Sequence, residues 1–238
     1  MLRIRQQYDL IQETLQMRED MSAMIVHDLR NPMINIACGC ELLIEEDLET
    51  EQKETVEQIF TSSQRLLNLV DDLLVMAKME SGTLSVNKSF TSIHHVFGEI
   101  INDFEPIINH NSLKLITNLP GDDVEILVDV HLFRRLIENL LSNAIKFSPE
   151  FSEISVKVDN ISNLASQKTQ IQIIDRGYGV KDELKQSIFK KYETGNNFKN
   201  IKQTGLGLAF CKMVVDAHDG LIFVEDNQPQ GAIFTVQI

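Results

Sequence analysis

Residues 25–77 read IVHDLRNPMINIACGCELLIEEDLETEQKETVEQIFTSSQRLLNLVDDLLVMA, and they contain two runs in which mostly apolar residues recur alternately every three and four positions. The runs comprise Val26, Leu29, Met33, Ile36, Cys40 and Leu43, and then Val56, Ile59, Ser63, Leu66, Val70, Leu73 and Ala77. This spacing is typical of helices that pack along an apolar stripe, and the polar segment 45–51 between them can turn the chain. We therefore predict an antiparallel helical hairpin. Because each apolar face is wider than one partner helix can cover, we expect two hairpins to form a dimeric four-helix bundle.

The segment before the hairpin has a shorter pattern of the same kind, at Ile4, Tyr8, Ile11 and Leu15, followed by a second phase at Met17, Met21 and Met24. We predict a coiled-coil extension over residues 1–20 and a shift of the supercoil register just before His27. Since the pattern opens in the middle of a helix, we expect an upstream part that this chain does not contain. The further predicted domains are the hairpin over 21–80, a linker over 81–90 and a second domain over 91–238.

The chain after residue 81 has a different pattern, because ten of the eleven glycines lie from Gly82 onward. Predicted strands are 114–118, 124–128, 153–158, 169–174, 221–225 and 231–237, and predicted helices are 92–110, 130–147, 182–190 and 206–218. Several strands follow one another directly and the helices are interspersed irregularly. This order predicts an α+β domain with helices layered on one face of a mixed sheet.

Composition limits the class of protein. The net charge of −13, from 22 Lys and Arg against 35 Asp and Glu, argues against nucleic acid or an anionic bilayer as the main partner. No stretch reaches the ~20 consecutive apolar residues of a membrane span, and the N-terminus lacks the apolar core of a secretory signal. The three cysteines, Cys38, Cys40 and Cys211, are an odd and sparse set that is typical of a reducing compartment. We expect a soluble cytoplasmic chain without membrane contact in this part of the protein.

A candidate nucleophile lies in the first helix, in the hexapeptide HDLRNP at residues 27–32. His27 adjoins the stripe residue Val26, so we expect its side chain at the bundle surface, with Asn31 one turn further over the same patch. A surface imidazole is mostly neutral near pH ~7, and its free nitrogen can attack an electrophile. Asp28 could accept the proton from the other ring nitrogen. The alternative is a solvated helix face with one chance histidine.

A polar stripe interrupts an otherwise apolar predicted helix in ENLLSNAIKF, residues 138–147. Asn139, Asn143 and Lys146 lie four and three residues apart, so they share a helical face that should bury leucines and that needs a polar partner. Amide oxygens suit Mg²⁺, which takes few protein ligands, and the ammonium group supplies positive charge toward phosphates. The alternative is a capping or solvent-facing stripe.

Two glycine motifs follow in the second domain. DRGYG, residues 175–179, comes directly after an apolar strand, where a carboxylate can accept from an exocyclic amine and glycines let the backbone approach a flat ring. Many tight turns share that pattern. TGLGL, residues 204–208, opens an amphipathic helix whose backbone N–H groups form an anion site. The polar segment 193–203 before it has the composition of a mobile lid.

In this order, the motifs resemble the H, N, G1, F and G2 boxes of the bacterial sensor histidine kinases, and the resemblance covers residues 21–238. It implies a dimerisation and histidine-phosphotransfer hairpin, followed by an α/β-sandwich ATP-binding domain of the Bergerat (GHKL) fold. It also implies ATP and Mg²⁺ as cofactors, a homodimer through the hairpin, and the receiver domain of a response regulator as partner. The upstream part would then be a sensor domain, in a full-length protein that could be membrane-anchored.

The resemblance further implies roles for individual residues. His27 is similar to the phosphoacceptor, Asp28 to its acidic partner, and Asn31 to the residue that positions water when the regulator is dephosphorylated. Asn143, together with Asn139, resembles the Mg²⁺-coordinating pair. The other implied nucleotide-binding residues are the phosphate contact Lys146, the adenine-recognising Asp175, and Phe147, Gly177, Gly179, Lys191, Thr204, Gly205, Leu206, Gly207 and Leu208.

Departures from the family pattern bear on the reaction. In the ATPase branch of this fold, a glutamate that activates water lies four residues before the Mg²⁺-binding asparagine, and Asn139 takes that place here. Glu138 is rotated by roughly 100° around the helix, so His27 is the better candidate for the attacking group. Arg176 replaces a commoner asparagine and Lys191 an arginine, which puts gating of the site in question. Two other functions stay open: a dimeric scaffold that binds nucleotide without transfer, and an ATP hydrolase.

Overall fold

A computed structural model describes residues 2–46, 48–122, 124–163, 166–193 and 205–238. The chain divides into two compact units, Met1–Ser85 and Val86–Ile238. The domain boundaries that the sequence suggests are drawn more finely than this division, and they stay predictions.

The first unit is a pair of helices, α1 at Leu2–Ile44 and α2 at Thr50–Ser81. α2 ends where Gly82 adopts a left-handed conformation, φ 71°, and donates its N–H to the Met79 carbonyl at 3.1 Å. Glycine takes this conformation without steric cost, which makes it a common helix terminator. The side chains buried in this unit include Val26, Ala37 and Cys40 from α1 and Ser63, Val70 and Met76 from α2. The predicted helical hairpin is confirmed.

Part of the predicted apolar stripe on each helix stays exposed in the single chain. It consists of Leu29, Ile36 and Leu43 on α1, which are 48%, 44% and 47% exposed, and of Ile59, Leu66 and Leu73 on α2, which are 45%, 47% and 42% exposed. The members of each set follow one another at intervals of seven residues, so each set lies along one line of its helix. Part of each predicted apolar face is therefore left uncovered by the hairpin itself.

The strands of the second unit form two sheets. β1 (Ser89–Ser92) pairs antiparallel with β3 (Glu125–Val128). The larger sheet has the order β2-β4-β5-β7-β6, with bounds Lys114–Asn118, Glu153–Asn163, Ser166–Ile174, Ala232–Gln237 and Leu221–Asp226. β2 runs parallel to β4 and the other neighbours are antiparallel, so the sheet is mixed, as predicted.

Three helices contact this larger sheet: α3 (Ile93–His110) contacts β2, α4 (Val130–Phe147) contacts β5, and α5 (Gly207–Ala217) contacts β6. The core includes alternate residues of the central strands, namely Ile154, Val156 and Val158 in β4 and Ile171 and Ile173 in β5. Phe97 of α3 meets Phe133 of α4 edge to face, with ring centres 6.4 Å apart. The alternation of buried positions indicates that the helices are layered on one face of the sheet.

The start of α4 is held by two neighbours. The Asp129 carboxylate accepts from the Leu132 N–H at 3.2 Å and so caps the helix. The Asp129 N–H donates to Nε2 of His218 at 2.9 Å, and Nδ1–H of His218 donates to the Val214 carbonyl at 2.8 Å. Because His218 is buried directly after α5, its ring joins the end of α5 to the start of α4.

The predicted α+β class is confirmed, with three differences in the elements. β4 continues to Asn163 and β5 begins at Ser166, so both are longer than the predicted strands 153–158 and 169–174. Residues 182–190, predicted as a helix, form two short 3₁₀ turns at Asp182–Leu184 and Ser187–Phe189. The segment is too short to offset the cost of nucleating an α-helix, and its Lys185 ammonium is tied to Asp226 at 2.7 Å. The sequence does not predict β1, because a four-residue strand shows too little alternation to be recognised.

Candidate functional site

His27 lies on α1 with 72% of its side chain exposed. Its Nδ1 lies 3.2 Å from Oδ1 of Asp28, and its Nε2 lies 3.4 Å from Nδ2 of Asn31. A carboxylate only accepts hydrogen bonds, so Asp28 selects the tautomer that carries the proton on Nδ1. Nε2 then holds the free lone pair, which the Asn31 amide N–H contacts from one turn further along the helix. The three side chains therefore form one contiguous group on the helix surface.

This group has the geometry of an activated nucleophile. When Nε2 forms a bond to an electrophile, the ring becomes cationic and its Nδ1 proton becomes acidic, and Asp28 is placed to accept that proton. The Asn31 contact is long, and both side chains are exposed, so the amide can rotate away from the lone pair. Exposure also gives a bulky phosphate group access to Nε2.

Asn139 and Asn143 lie one turn apart on α4, and both are half-buried. The Asn139 Nδ2 donates to the Arg135 carbonyl at 3.0 Å, which leaves Oδ1 as an acceptor for another group. A Cβ atom at Gly207 would lie 2.8 Å from that Oδ1, so the start of α5 approaches Asn139 as closely as only glycine allows. The Asn143 side chain makes no hydrogen bond within the described part of the chain. Two amide oxygens on one helical face fit a hard cation such as Mg²⁺.

Glu138, next to Asn139 in sequence, is engaged elsewhere. Its carboxylate accepts from Nε of Arg134 at 2.8 Å. Arg134 also donates to Glu99 of α3 at 2.6 Å and to Asp103. The Glu138 carboxylate is therefore held in an ion-pair network with α3, one position around the helix from Asn139, and it is not placed as a general base beside that asparagine.

Asp175 follows β5 and is only 4% exposed. Its Oδ1 accepts from the Gly177 N–H at 2.8 Å and from the Ala232 N–H at 3.1 Å. Its Oδ2 accepts no hydrogen bond from any residue that the structure describes. Burial raises the pKa of the Asp175 carboxyl above its ordinary value, and the two backbone N–H groups oppose that rise only in part. A buried carboxylate with one unused oxygen can accept from a donor such as an exocyclic amine.

The end of α4 meets the segment that follows β5. A Cβ atom at Gly177 would lie 2.8 Å from the Phe147 carbonyl oxygen, so glycine is required for this approach. The Lys146 ammonium lies 5.6 Å from the centre of the Phe147 ring, within cation–π range. Gly179, with φ 72°, lies two residues further along the same segment. The structure thus brings Phe147, at the end of α4, against Gly177 in the segment 175–179.

The two ends of the segment predicted as a lid lie close together. The Tyr192 N–H donates to the Gly205 carbonyl at 2.9 Å, and a Cβ atom at Gly205 would lie 2.7 Å from the Tyr192 backbone. The other candidates here are Lys191 and Leu208, which are half-buried, and Leu206, which is buried at the start of α5. Thr204, with the rest of residues 194–204, lies outside the described residues, so the lid stays a prediction.

Sequence reasoning missed the turn between β6 and β7. Asn227 donates from Nδ2 to the Asp175 carbonyl at 2.7 Å, and Ala232 contacts the Asp175 carboxylate. The turn carries no motif and resembles any polar turn with proline and glycine, so no signal in the sequence could have indicated these contacts.

Comparison with known proteins gives the family. Residues 17–82 match the family described as the His Kinase A (phospho-acceptor) domain, and residues 128–238 match the family described as histidine kinase-, DNA gyrase B- and HSP90-like ATPase. The first match contains His27 and the second contains both asparagines of α4. The chain belongs to the sensor histidine kinases. The predicted GHKL-type fold of the second domain is thereby confirmed.

Other sensor kinases resemble this histidine kinase along almost its whole length. The adaptive-response sensory kinase SasA of Crocosphaera subtropica is 29% identical over 98% of the chain, and the sensor protein KdpD of Escherichia coli is 31% identical over 98% of it. The chain spans 62% of that SasA and 26% of that KdpD. Among the residues that the structure describes, no helix combines the length and the apolarity needed to cross a membrane.

Solved structures share the fold of this histidine kinase. Full-length ShkA in complex with AMPPNP has a TM-score of 0.73 at 22% identity, over 92% of this chain and 45% of that one. The histidine kinase AdeS of Acinetobacter baumannii has a TM-score of 0.62 at 24% identity, over 89% of this chain and 96% of that one. Both likenesses concern the fold alone.

Proposed function

We propose that this chain is an ATP-dependent protein-histidine kinase, which phosphorylates its own His27 and passes the phosphoryl group to an aspartate of a response regulator. The observation that carries the proposal is the state of the His27 ring. It is exposed and its Nδ1 lies 3.2 Å from Asp28, a contact from which we infer that Nε2 carries the lone pair. The relatives' names and the AMPPNP complex of ShkA support the same chemistry.

In the proposed reaction Nε2 of His27 attacks the γ-phosphorus of ATP. A nitrogen–phosphorus bond forms, the bond between the γ-phosphorus and the bridging oxygen breaks, and ADP leaves with that electron pair. The ring becomes cationic during the attack, and Asp28 accepts the Nδ1 proton. Asn31 releases Nε2 before the bond forms.

The second domain would hold the nucleotide. Oδ2 of Asp175 would accept from the exocyclic amine of adenine, and the backbone N–H groups at the start of α5 would contact phosphate oxygens. The Asn139 and Asn143 amide oxygens would hold Mg²⁺, and Lys146 would contact the phosphates. When bound, Mg²⁺ offsets the phosphate charge that develops during transfer.

The engagement of Glu138 favours transfer to histidine over hydrolysis. Water needs a general base near the γ-phosphate, and the neighbouring carboxylate is paired with Arg134 at 2.8 Å. Asn139 lacks a group that can accept a proton at neutral pH. The imidazole of His27, in contrast, needs no deprotonation before it attacks.

Labelled ATP tests the proposal. We expect label from the γ-phosphate to become attached to the protein, to survive alkali and to be lost in acid, because a nitrogen–phosphorus bond is acid-labile. Label at the α-phosphate should not be incorporated. Steady phosphate release without labelled protein would instead indicate an ATP hydrolase, and nucleotide binding without either product would indicate a scaffold.

The raised pKa of Asp175 predicts how nucleotide binding depends on pH. An ionised Oδ2 accepts from the adenine amine, whereas a protonated carboxyl would present a second donor to it. Since the pKa lies above its ordinary value, ATP affinity should begin to fall at a higher pH than it would for an exposed aspartate. Calorimetric ATP titrations at decreasing pH check this. The Asp175→Asn variant should bind weakly at every pH, and a wild-type affinity that is independent of pH would contradict the expectation.

We also propose that Asn31 serves dephosphorylation of the regulator. Its amide lies 3.4 Å from Nε2 of His27, so it could position a water molecule beside the unphosphorylated histidine. That water would attack the phosphorylated aspartate of the regulator. The Asn31→Ala variant should dephosphorylate a phosphorylated regulator about 10-fold more slowly or worse, because one oriented hydrogen bond is lost, while its autophosphorylation rate changes less than about 3-fold. Measuring both rates on one preparation checks this. An equal loss in both would assign Asn31 to the kinase reaction instead.

The exposed stripes on α1 and α2 support a homodimer through the hairpin, which the family match also implies. Leu66, at 47% exposure, lies in the middle of the α2 stripe. A buried charge there would be costly, so the Leu66→Glu variant should raise the dimer dissociation constant by roughly 100-fold. Sedimentation at several concentrations checks this. The exposed Gln64→Glu substitution on the same helix is the matched control, and an unchanged Leu66→Glu dimer would exclude this interface.

The proposed reaction also implies where this chain acts and which protein it contacts. ATP and response regulators occur in the cytoplasm, so we expect this chain to act there, whatever further domains the full-length kinase has. The receiver domain would approach the exposed group around His27 on the hairpin.

A further inference from the structure

The turn between β6 and β7, residues 227–231, packs on the segment that carries Asp175. We infer that Asn227 is a positioning residue for nucleotide recognition: its turn holds Asp175 so that Oδ2 is presented to the exocyclic amine of the base. This inference rests on the proposed function, and it concerns which base the site selects.

Backbone and side-chain hydrogen bonds connect the turn to Asp175 on three sides. The Asn227 Nδ2 donates to the Asp175 carbonyl at 2.7 Å. The Asp175 N–H donates to the Ala232 carbonyl at 2.9 Å, and the Ala232 N–H donates to Oδ1 of Asp175 at 3.1 Å. The aspartate is thus held by its N–H, its carbonyl and one carboxylate oxygen, and all three partners lie in or next to this turn.

The turn lies so close to Asp175 that no side chain fits between them. A Cβ atom at Gly231, where φ is 119°, would lie 2.0 Å from the Asp175 carbonyl oxygen. A Cβ atom at Gly179 would lie 3.0 Å from the Gly231 carbonyl oxygen. The Asn227 N–H closes the turn by donating to the Gly231 carbonyl at 3.0 Å. Such close backbone contact restricts the positions that Asp175 can take.

Arg176 makes a second contact between the segment with Asp175 and the turn 227–231. At this position the chain departs from the asparagine that is common in the family. Nη1 of Arg176 donates to the Gln228 carbonyl at 2.5 Å, so the guanidinium reaches across to the same turn. The departure therefore has a local partner. It adds a charged hydrogen bond between the segment with Asp175 and the turn with Asn227.

These contacts leave one oxygen for the base. Because Oδ1 already accepts two backbone N–H groups, only Oδ2 remains for a ligand. Adenine presents an amine donor to such an oxygen, whereas hypoxanthine presents a carbonyl acceptor at the same place and would leave two acceptors facing each other. If Asn227 is shortened, the Asp175 carbonyl loses this hydrogen bond and the carboxylate is held less firmly, by the Gly177 and Ala232 contacts alone.

The ratio of ATP to ITP affinity tests the inference. We expect the wild-type protein to bind ATP at least about 10-fold more tightly than ITP in calorimetric titrations with Mg²⁺. The Asn227→Ala variant should lose about 10-fold in ATP affinity and less than about 2-fold in ITP affinity, so the ratio falls close to one. Gln230→Ala, an exposed change in the same turn, is the matched control and should keep the wild-type ratio.

The outcomes separate this inference from the proposed function. Equal weakening of ATP and ITP would show that Asn227 only supports the fold, and an unchanged ratio would show that it has no role; either result overturns the inference. A wild-type protein that binds no ATP would overturn the proposed function itself. If Asn227→Ala does not fold, Arg176→Asn decides, because it removes only the bond to Gln228 and should lower the ratio by about 3-fold.

Discussion

Replacing His27 by glutamine is expected to lower incorporation of label from γ-labelled ATP by at least about 1,000-fold, because the nucleophile itself is removed. Glutamine keeps a polar side chain at this exposed position, but its amide nitrogen has no available lone pair. The helix should be unaffected, since 72% of the His27 side chain is exposed. Filter-bound label per mole of protein, measured over the first minutes of reaction, checks the expectation.

The matched control is His95→Gln, which changes another exposed histidine at the start of α3. It should label at the wild-type rate, and both variants should bind ATP with the wild-type affinity. Acid-labile label that persists in His27→Gln would show that another residue is the acceptor. Phosphate release at an equal rate in all three proteins would favour water as the acceptor.

The Asn143→Ala variant should label at most about one-hundredth as fast as the wild-type protein at equal ATP and Mg²⁺ concentrations, through loss of a metal ligand. The Asn143 side chain makes no hydrogen bond to any residue in the described ranges, so its removal should change the free energy of unfolding by less than about 1 kcal/mol. A large effect on labelling with a small effect on stability distinguishes a ligand-binding side chain from a structural one. Labelling rates and denaturant unfolding of the same preparation measure the two quantities.

Ser142→Ala is the control for that substitution, because Ser142 is exposed on the same helix one position away. It should leave both labelling and stability unchanged. If Asn143→Ala labels normally across a range of Mg²⁺ concentrations, Asn143 does not bind the metal. If it unfolds readily, the polar stripe on α4 supports the fold rather than the nucleotide.

The hairpin could be predicted because its apolar spacing repeats over many residues. Both helices and the turn between them follow from that repeat. The repeat does not tell which part of each face is buried within one chain. Val70 is buried in the single hairpin, whereas Leu66 and Leu73 of the same predicted stripe stay 47% and 42% exposed. That division depends on how the two helices are rotated, which sequence spacing alone does not fix.

The polar contacts between elements of the second domain could not be predicted, because they connect residues that are far apart in sequence. His218 bonds to the Asp129 backbone, and Asn227 bonds to the Asp175 backbone. Every residue except proline offers the same backbone N–H and carbonyl, so the residue type at the backbone side of such a contact is not restricted. Neither contact therefore has a sequence signature. The two 3₁₀ turns that replace a predicted helix have a similar cause. Lys185 pairs with Asp226 at the end of β6, a residue far away in sequence.

The candidate site was more predictable in chemistry than in geometry. The order of the motifs predicts His27, Asn143 and Asp175 as site residues. This is possible because a nucleophile, a metal ligand and a hydrogen-bond acceptor for the base each require one of a few residue types. The structure adds the neighbours of each group: Nδ1 of His27 lies 3.2 Å from Asp28, and one oxygen of Asp175 is already used by backbone N–H groups. Those details depend on neighbours that a motif does not contain. The roles assigned to these residues stay predictions until they are tested.

Identifying the phosphorylated atom after reaction with ATP tests the central claim most directly. Wild-type protein is incubated with ATP and Mg²⁺. One portion is digested with a protease at alkaline pH, and the phosphorylated peptide is sequenced by mass spectrometry. A second portion is hydrolysed in alkali, and the phosphohistidine isomers are separated by chromatography. We predict that the phosphoryl group lies on Nε2 of His27, the nitrogen that the Asp28 contact leaves with its lone pair. A phosphoryl group on Nδ1, on another residue, or on no residue at all would contradict the account.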